Sequence, residues 1–123
     1  MKRKREPFIS GRIKSVKYAI KGGKILLTTE HSIIAQLIIG FIMTIAGFIV
    51  GLTATEWMFQ ITAIALIIVA EAANTAVEYL CDYIHPDHDK NIGLIKDIAA
   101  GIPFIAAVFA VIIGLIIYVP KFI

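Results

Sequence analysis

The sequence predicts an all-α membrane protein, in which three transmembrane helices follow an N-terminal amphipathic helix that lies on the membrane surface. Of the 123 residues, 59% are hydrophobic and only 17% are charged. Soluble domains average about 45–50% apolar and about 25% charged residues, and a small soluble domain would leave much of this apolar surface in water. The composition argues against a soluble enzyme and against disorder, which needs low hydrophobicity and high charge. This length predicts a single domain, 1–123.

Three runs of residues are long enough to cross a bilayer as helices. The first covers 33–52 and the third covers 98–119, and neither contains a charged residue. At a rise of about 1.5 Å per residue, runs of this length span the hydrocarbon core of about 30 Å. The second run, 57–80, contains Glu71 and Glu78. Helices are predicted because backbone polar groups in lipid must be satisfied within the segment, and the alternation typical of barrel strands is absent.

The basic residues predict the orientation of these spans. Nine of the twelve Lys and Arg residues precede residue 25, and Lys90 and Lys96 lie in the second predicted loop, 81–97. Because cytoplasmic segments carry the excess of Lys and Arg, we expect a multi-pass protein of the inner (cytoplasmic) membrane. Its N-terminus and this loop would lie in the cytoplasm, and its C-terminus outside. Trp57 and Tyr118 would then lie near the outer interface, where amphipathic rings are favoured.

Residues 8–29 are predicted to form the surface helix. Hydrophobic residues recur there near helical spacing with lysines between them, which is typical of a basic interfacial helix. A solvated basic tail is the alternative, and Gly22-Gly23 is expected to break or bend the helix. Charged residues continue to Glu30, which argues against a cleaved secretory signal. No base-reading motif follows the basic segment, so an anionic membrane surface is favoured over nucleic acid as its partner.

The second span carries a stripe of polar residues, which comprises Glu71, Asn74, Glu78 and, just past its end, Asp82. At about 100° per residue these side chains share a sector of about 80°. Ionisable residues inside a span cost about 2.5–3.5 kcal/mol each on insertion scales, so they are functional candidates by default. Glu78, near the cytoplasmic interface, is suited to a hard cation such as Mg²⁺ with substrate phosphates. Glu71 lies deeper and is a candidate general base.

Other patterns either add to this site or leave alternatives open. Lys96-Asp97 precedes the third span, where a lysine can meet phosphate oxygens at the membrane surface, and Glu30 brings a further carboxylate to the same level. The stripe could instead only join helices through interhelical hydrogen bonds. A di-iron carboxylate bundle would need Glu-x-x-His pairs, which the spans lack. His85 and His88 could be metal ligands, although such loop histidines are more often simply exposed.

Two motifs resemble those of the small prokaryotic integral-membrane diacylglycerol kinases and undecaprenol kinases. One is the Glu-x-x-Asn-Thr-Ala-x-Glu string at 71–78, and the other is Lys96-Asp97, fourteen residues after Asp82. The resemblance runs from about Arg12 to Val119. It implies a homotrimer that transfers the γ-phosphate of ATP to a lipid hydroxyl, of diacylglycerol or undecaprenol, at the cytoplasmic face. The chain lacks the Walker and Rossmann glycine patterns, so its nucleotide site would be of another kind.

The resemblance also implies roles for individual residues. Glu71 would act as the base on the lipid hydroxyl, and Glu30 and Glu78 would hold the Mg²⁺ of MgATP. Nucleotide contacts would come from nine residues: Tyr18, Glu30, Asn74, Glu78, Asp87, His88, Asp89, Lys96 and Asp97. Lipid contacts would come from Arg12, Ser15, Glu71 and Ala100. Phosphoryl transfer needs positioning and charge neutralisation more than covalent catalysis, so acids, a metal ion and a lysine suffice.

Two further classes of function remain open at this point. A small proton-coupled transporter would use Glu71 as its buried proton carrier, but transport gives Lys96-Asp97 and Glu30 no task. A structural subunit of a membrane assembly would tolerate the substitution Glu71→Gln. On the lipid side, the small residue Ala100 leans towards the undecaprenol branch of the family, and Pro103 is expected to kink the third span.

Overall fold

The computed structural model describes residues 7–123, and all regular structure in this part of the chain is helical. The helices are α1 (Phe8–Thr29), α2 (His31–Val50), α3 (Ala54–Ile84) and α4 (Lys90–Phe122). The chain divides into two compact units, Met1–Glu30 and His31–Ile123. The second is called the three-helix unit below. The all-α prediction is confirmed.

Helix α1 is continuous across Gly22-Gly23, so the predicted break there is wrong. A glycine weakens a helix by about 1 kcal/mol relative to alanine but does not end it when good helix formers flank it. Pro7 stands immediately before the helix, and its carbonyl accepts a hydrogen bond from the Gly11 N–H at 2.8 Å. No residue of α1 is buried, and large hydrophobic side chains along it are exposed. Their contact with a membrane surface stays a prediction.

Helices α2, α3 and α4 are each long and apolar enough to cross a membrane, which confirms the three predicted spans. Helices α3 and α4 extend well beyond the spans 57–80 and 98–119, so the connection between them is residues 85–89 instead of 81–97. The prediction was wrong because it equated the end of the apolar run with the end of the helix. Polar residues that leave the apolar region keep their helical backbone hydrogen bonds.

The end of the three-helix unit that contains residues 51–53 is called the hairpin end, and the end that contains residues 85–89 is called the loop end. At the hairpin end, the Thr53 hydroxyl accepts a hydrogen bond from the Glu56 N–H at 3.2 Å, and the Glu56 carboxylate accepts one from the Thr53 N–H at 2.9 Å. This reciprocal cap starts α3. Gly51 turns the chain with a φ of 79°, a conformation that favours glycine.

Trp57 packs against α2 at the hairpin end. Its ring lies 4.8 Å from the Phe48 ring, centroid to centroid, and it fills the space next to Gly47. A Cβ atom at position 47 would lie only 2.6 Å from the Trp57 Cη2 atom. The close approach of α2 and α3 therefore depends on a residue without a side chain at this position.

A buried polar network joins all three helices nearby. The Gln60 side chain is buried, and its amide nitrogen donates to the Met43 carbonyl of α2 at 2.9 Å. Its amide oxygen accepts a hydrogen bond from the Tyr118 hydroxyl of α4 at 2.5 Å. Both the nitrogen and the oxygen of the glutamine side chain thus have a partner, as buried amides require. The hydroxyl that was predicted to lie at the membrane interface is used inside the protein.

The substitution Tyr118→Phe should destabilise the three-helix unit. It removes the donor to the buried Gln60 oxygen, and an unsatisfied buried acceptor costs about 1–3 kcal/mol. Thermal unfolding in detergent, followed by circular dichroism, measures this loss. The control is Tyr83→Phe, since Tyr83 is 87% exposed. Equal unfolding temperatures for the two variants would contradict a stabilising role for the network.

Candidate functional site

The polar stripe of α3 is a connected feature of the structure. The Asn74 side-chain nitrogen donates a hydrogen bond to the Glu78 Oε1 atom at 3.1 Å, one helical turn towards the loop end. Asn74 is only 9% exposed. Its Oδ1 atom is the buried side-chain oxygen that lacks a hydrogen-bond partner within residues 7–123. Because such an atom is an exception in folded proteins, Asn74 is a candidate acceptor for a ligand.

Among the carboxylates of the stripe, those nearer the loop end are the more exposed. Glu71 is half-buried, whereas Glu78 and Asp82 are exposed in the single chain. The difference in membrane depth between the candidate base and the candidate metal ligand stays a prediction. One oxygen of the Glu78 carboxylate accepts the hydrogen bond from the Asn74 side chain. This exposed carboxylate provides the kind of oxygen ligand that Mg²⁺ prefers.

Helix α4 contributes a cation to the same end. The Lys96 Nζ atom lies 2.5 Å from the Asp82 Oδ1 atom, in an ion pair that joins α4 to the stripe. Lys96 of the motif Lys96-Asp97 therefore lies beside the stripe, and its contact with phosphate stays a prediction. Asp82 was placed on the stripe but given no role. Asp82 and Lys96 carry opposite charges on either side of one connection between antiparallel helices. This pattern is the sequence signal that would have predicted the ion pair.

The residues of the connecting loop have local hydrogen bonds. The Asp89 carboxylate caps α4, because its Oδ2 atom accepts from the Ile92 and Asn91 N–H groups, both at 3.0 Å. These bonds, that from Ile92 above all, lower the pKa of Asp89. The stabilising charge is therefore present above the ordinary pKa of a carboxyl group and is lost only as the pH falls through the lowered value. Asp87 and His88 are exposed.

Four predicted site residues belong to the unit Met1–Glu30. The Arg12 guanidinium lies 5.9 Å from the centroid of the Phe8 ring, and the Ser15 hydroxyl donates to the Gly11 carbonyl at 2.9 Å. Tyr18 is exposed and Glu30 follows the end of α1. The predicted contacts of these residues with lipid, nucleotide and metal stay predictions. So does that of Ala100, which is exposed on α4.

Within residues 7–123, no group of three or more His, Cys, Asp or Glu side chains is arranged to hold a metal ion. The roles of Glu30 and Glu78 as ligands of Mg²⁺ stay predictions.

A cavity of about 380 Å³ lies among the three helices and is separate from the stripe. Its lining is apolar apart from Gln36 and Gln60 and includes none of the predicted site residues. This cavity therefore does not contain the side chains of the stripe.

Comparison with known proteins places these motifs in a family. The family described as prokaryotic diacylglycerol kinase matches residues 17–118, a range that contains both motifs. The chain is also similar to an undecaprenol kinase of Bacillus subtilis (strain 168), with 40% identity over 77 residues. That match covers 63% of this chain and 63% of the relative. The resemblance that the motifs indicated is confirmed, and the chain belongs to the prokaryotic diacylglycerol kinase family.

Proposed function

We propose that the protein is a Mg²⁺-dependent lipid kinase, which transfers the γ-phosphate of ATP to the hydroxyl group of diacylglycerol or undecaprenol. The observation that carries this proposal is the loop end of the three-helix unit, where the Asn74–Glu78 hydrogen bond and Lys96 lie on adjoining helices. An amide, a carboxylate and an ammonium provide the groups that bind and neutralise a metal-bound polyphosphate. The family match supports this reading, and it gives no support to a proton-coupled transporter.

The proposed base is Glu71. It lies seven residues before Glu78 on α3, about 10 Å further along the helix axis, and it is half-buried. A lipid hydroxyl is anchored by its chains at about the depth of the interface, so it would meet a carboxylate that lies deeper than the nucleotide site. Glu71 would accept the hydroxyl proton as the oxygen attacks the γ-phosphorus atom, and the bond from that phosphorus to the β–γ bridging oxygen would break to release ADP.

The nucleotide would bind on the shallower side of this base. Glu78, together with Glu30, would hold the Mg²⁺, which neutralises charge on the phosphates when bound. Lys96 would donate to phosphate oxygens. The remaining nucleotide contacts are proposed for Tyr18, Asn74, Asp87, His88, Asp89 and Asp97. Lipid contacts are proposed for Arg12, Ser15 and Ala100.

The setting of the reaction is part of the proposal. The concentration of basic residues before the first span favours an N-terminus in the cytoplasm, with the loop end and its stripe on the same side of the inner membrane and the C-terminus outside. Helix α1 would lie on that surface, since lysines accompany its exposed hydrophobic residues. Because the stripe is exposed in a single chain, we propose a homotrimer whose neighbouring subunits complete each site.

The test of this function is phosphate transfer in a bilayer. The purified chain, reconstituted in vesicles that contain equal amounts of diacylglycerol and undecaprenol, is given Mg²⁺ and ATP labelled at the γ-phosphate. Label should appear in lipid, and we expect it mainly in undecaprenyl phosphate because the relative is an undecaprenol kinase. Transfer mainly to diacylglycerol would contradict undecaprenol as the preferred acceptor and identify diacylglycerol instead. No transfer to either lipid, together with a proton-driven flux, would contradict the kinase function.

The substitution Glu78→Gln should weaken the use of MgATP. It removes the charge that the proposed metal ligand supplies, while the side chain keeps its size and its hydrogen bond to Asn74 remains feasible. We expect the Mg²⁺ concentration needed for half-maximal activity to rise by roughly tenfold or more. A titration of activity with Mg²⁺ at fixed ATP measures this. An unchanged metal dependence would contradict the role of Glu78 as a ligand.

A further inference from the structure

The proposed function assigns Lys96 to phosphate binding but gives no role to Asp82, the residue with which Lys96 forms an ion pair. The two residues lie on different helices, α3 and α4, with 2.5 Å between Nζ and Oδ1. We propose that Asp82 is a positioning residue: it holds the Lys96 ammonium beside Glu78, where the ammonium meets the phosphate groups of the nucleotide. This inference rests on the kinase function proposed above.

The first support is the order of the side chains along α3. Asp82 follows Glu78 by four residues, so the two carboxylates project from the same face about 6 Å apart along the axis. Asn74 precedes Glu78 by four residues and donates to its carboxylate at 3.1 Å. The face thus presents an amide, a carboxylate and a second carboxylate that binds a lysine. An ammonium attached to Asp82 stays one helical turn from the proposed metal ligand.

The second support is the hydrogen-bonding capacity of the ammonium. It carries three donors, and Asp82 accepts one of them. Two donors are left for phosphate oxygens, so the nucleotide does not have to displace the carboxylate. The four-carbon stem of a lysine is flexible. Because Asp82 restrains it before the nucleotide binds, less ordering remains to be done in the complex.

The third support is the exposure of the pair, which separates positioning from a role in stability. The side chains of Lys96 and Asp82 are 39% and 59% exposed. Ion pairs in such surroundings contribute little to the free energy of unfolding, because water screens them and the long side chains lose entropy. A pair that adds little stability can still determine where a functional cation lies. Its loss should therefore affect nucleotide use more than folding.

The experiment compares three variants of the full chain in lipid vesicles. Asp82→Asn removes the charge and keeps the shape, and it should raise the KM for MgATP by about three- to tenfold with an unchanged unfolding temperature. Asp82→Glu restores the charge and should stay within about twofold of wild type. Lys121→Met is the matched control. It breaks the other α3–α4 ion pair, that of Lys121 with Glu56 at 3.0 Å, but at the hairpin end, and it should leave the KM unchanged.

The positioning role also predicts that the effect depends on Lys96. In a Lys96→Met background, Asp82→Asn should cause no further loss of affinity for a non-transferable, fluorescent ATP analogue. The same loss in both backgrounds would overturn the proposal, because Asp82 would then act on its own. A wild-type KM for Asp82→Asn would also overturn it. So would a large fall in the unfolding temperature of Asp82→Asn that Asp82→Glu restores together with the KM, because the role of Asp82 would then be structural. Absence of phosphate transfer by the wild-type chain would instead contradict the proposed kinase function, and the positioning role of Asp82 would fall with it.

Discussion

The variant Glu71→Gln should lose phosphate transfer by roughly 10²–10⁴-fold in kcat, while its affinity for MgATP stays close to that of the wild type. This range is what a positioned general base usually contributes. The amide that the substitution introduces has nearly the size of the carboxylate but cannot accept the lipid proton. Because Glu71 lies two helical turns from Glu78, its loss should spare the proposed nucleotide site.

Steady-state kinetics with saturating lipid measure this effect, and binding of a non-transferable ATP analogue separates the two sites. The matched control is Glu56→Gln, since Glu56 is on the same helix but at the hairpin end, where it caps α3 and pairs with Lys121. That control should transfer phosphate at a near-normal rate. A kcat of Glu71→Gln within about threefold of wild type would overturn the assignment of the base.

The variant Gly47→Val should be the most destabilised of the single substitutions considered. Its new Cβ atom would lie 2.6 Å from Trp57 Cη2 and 3.0 Å from Leu52 Cδ1, so the Trp57 ring or the helix that carries it must shift. Overpacking of this kind typically costs about 1–3 kcal/mol. The matched control is Gly114→Val, because a Cβ atom there meets no heavy atom within 4 Å.

Thermal unfolding in detergent again gives the comparison, and a second substitution tests the cause. Trp57→Phe removes the ring atoms Cη2 and Cζ2, which are the Trp57 atoms that the new Cβ would meet. The double variant should therefore recover part of the stability that Gly47→Val loses. Equal unfolding temperatures for Gly47→Val and Gly114→Val would show that the contact between Gly47 and Trp57 does not limit the packing of these helices.

The spans could be predicted from the sequence because a bilayer imposes a length on an apolar run. The ends of the helices could not be predicted in this way, because the polarity of a side chain says little about whether its backbone stays helical. Residues 81–84 and 90–97 are polar enough to read as a loop and yet continue α3 and α4. A separate reason, the low helix propensity of glycine, predicts a break or bend at Gly22-Gly23, where α1 in fact continues.

The candidate site could likewise be predicted only in part from the sequence. The stripe from Glu71 to Asp82 follows from helical periodicity alone, which is a local property, and the Asn74–Glu78 hydrogen bond agrees with it. Contacts between distant segments carry no such periodic signal. Nothing in the sequence joins Gln60 to Tyr118, 58 residues away. The resemblance predicts Asp89 only as a nucleotide contact, although an aspartate that precedes a helix is also a common N-cap.

The buried network of Gln60, Met43 and Tyr118 has a consequence for motion. Hydrogen bonds inside the bundle fasten all three helices near the hairpin end, whereas the Asp82–Lys96 pair at the opposite end is exposed to solvent. Local opening has its lowest free energy where contacts are exposed. Contacts between the helices should therefore open more readily at the loop end than at the hairpin end, without unfolding of the bundle.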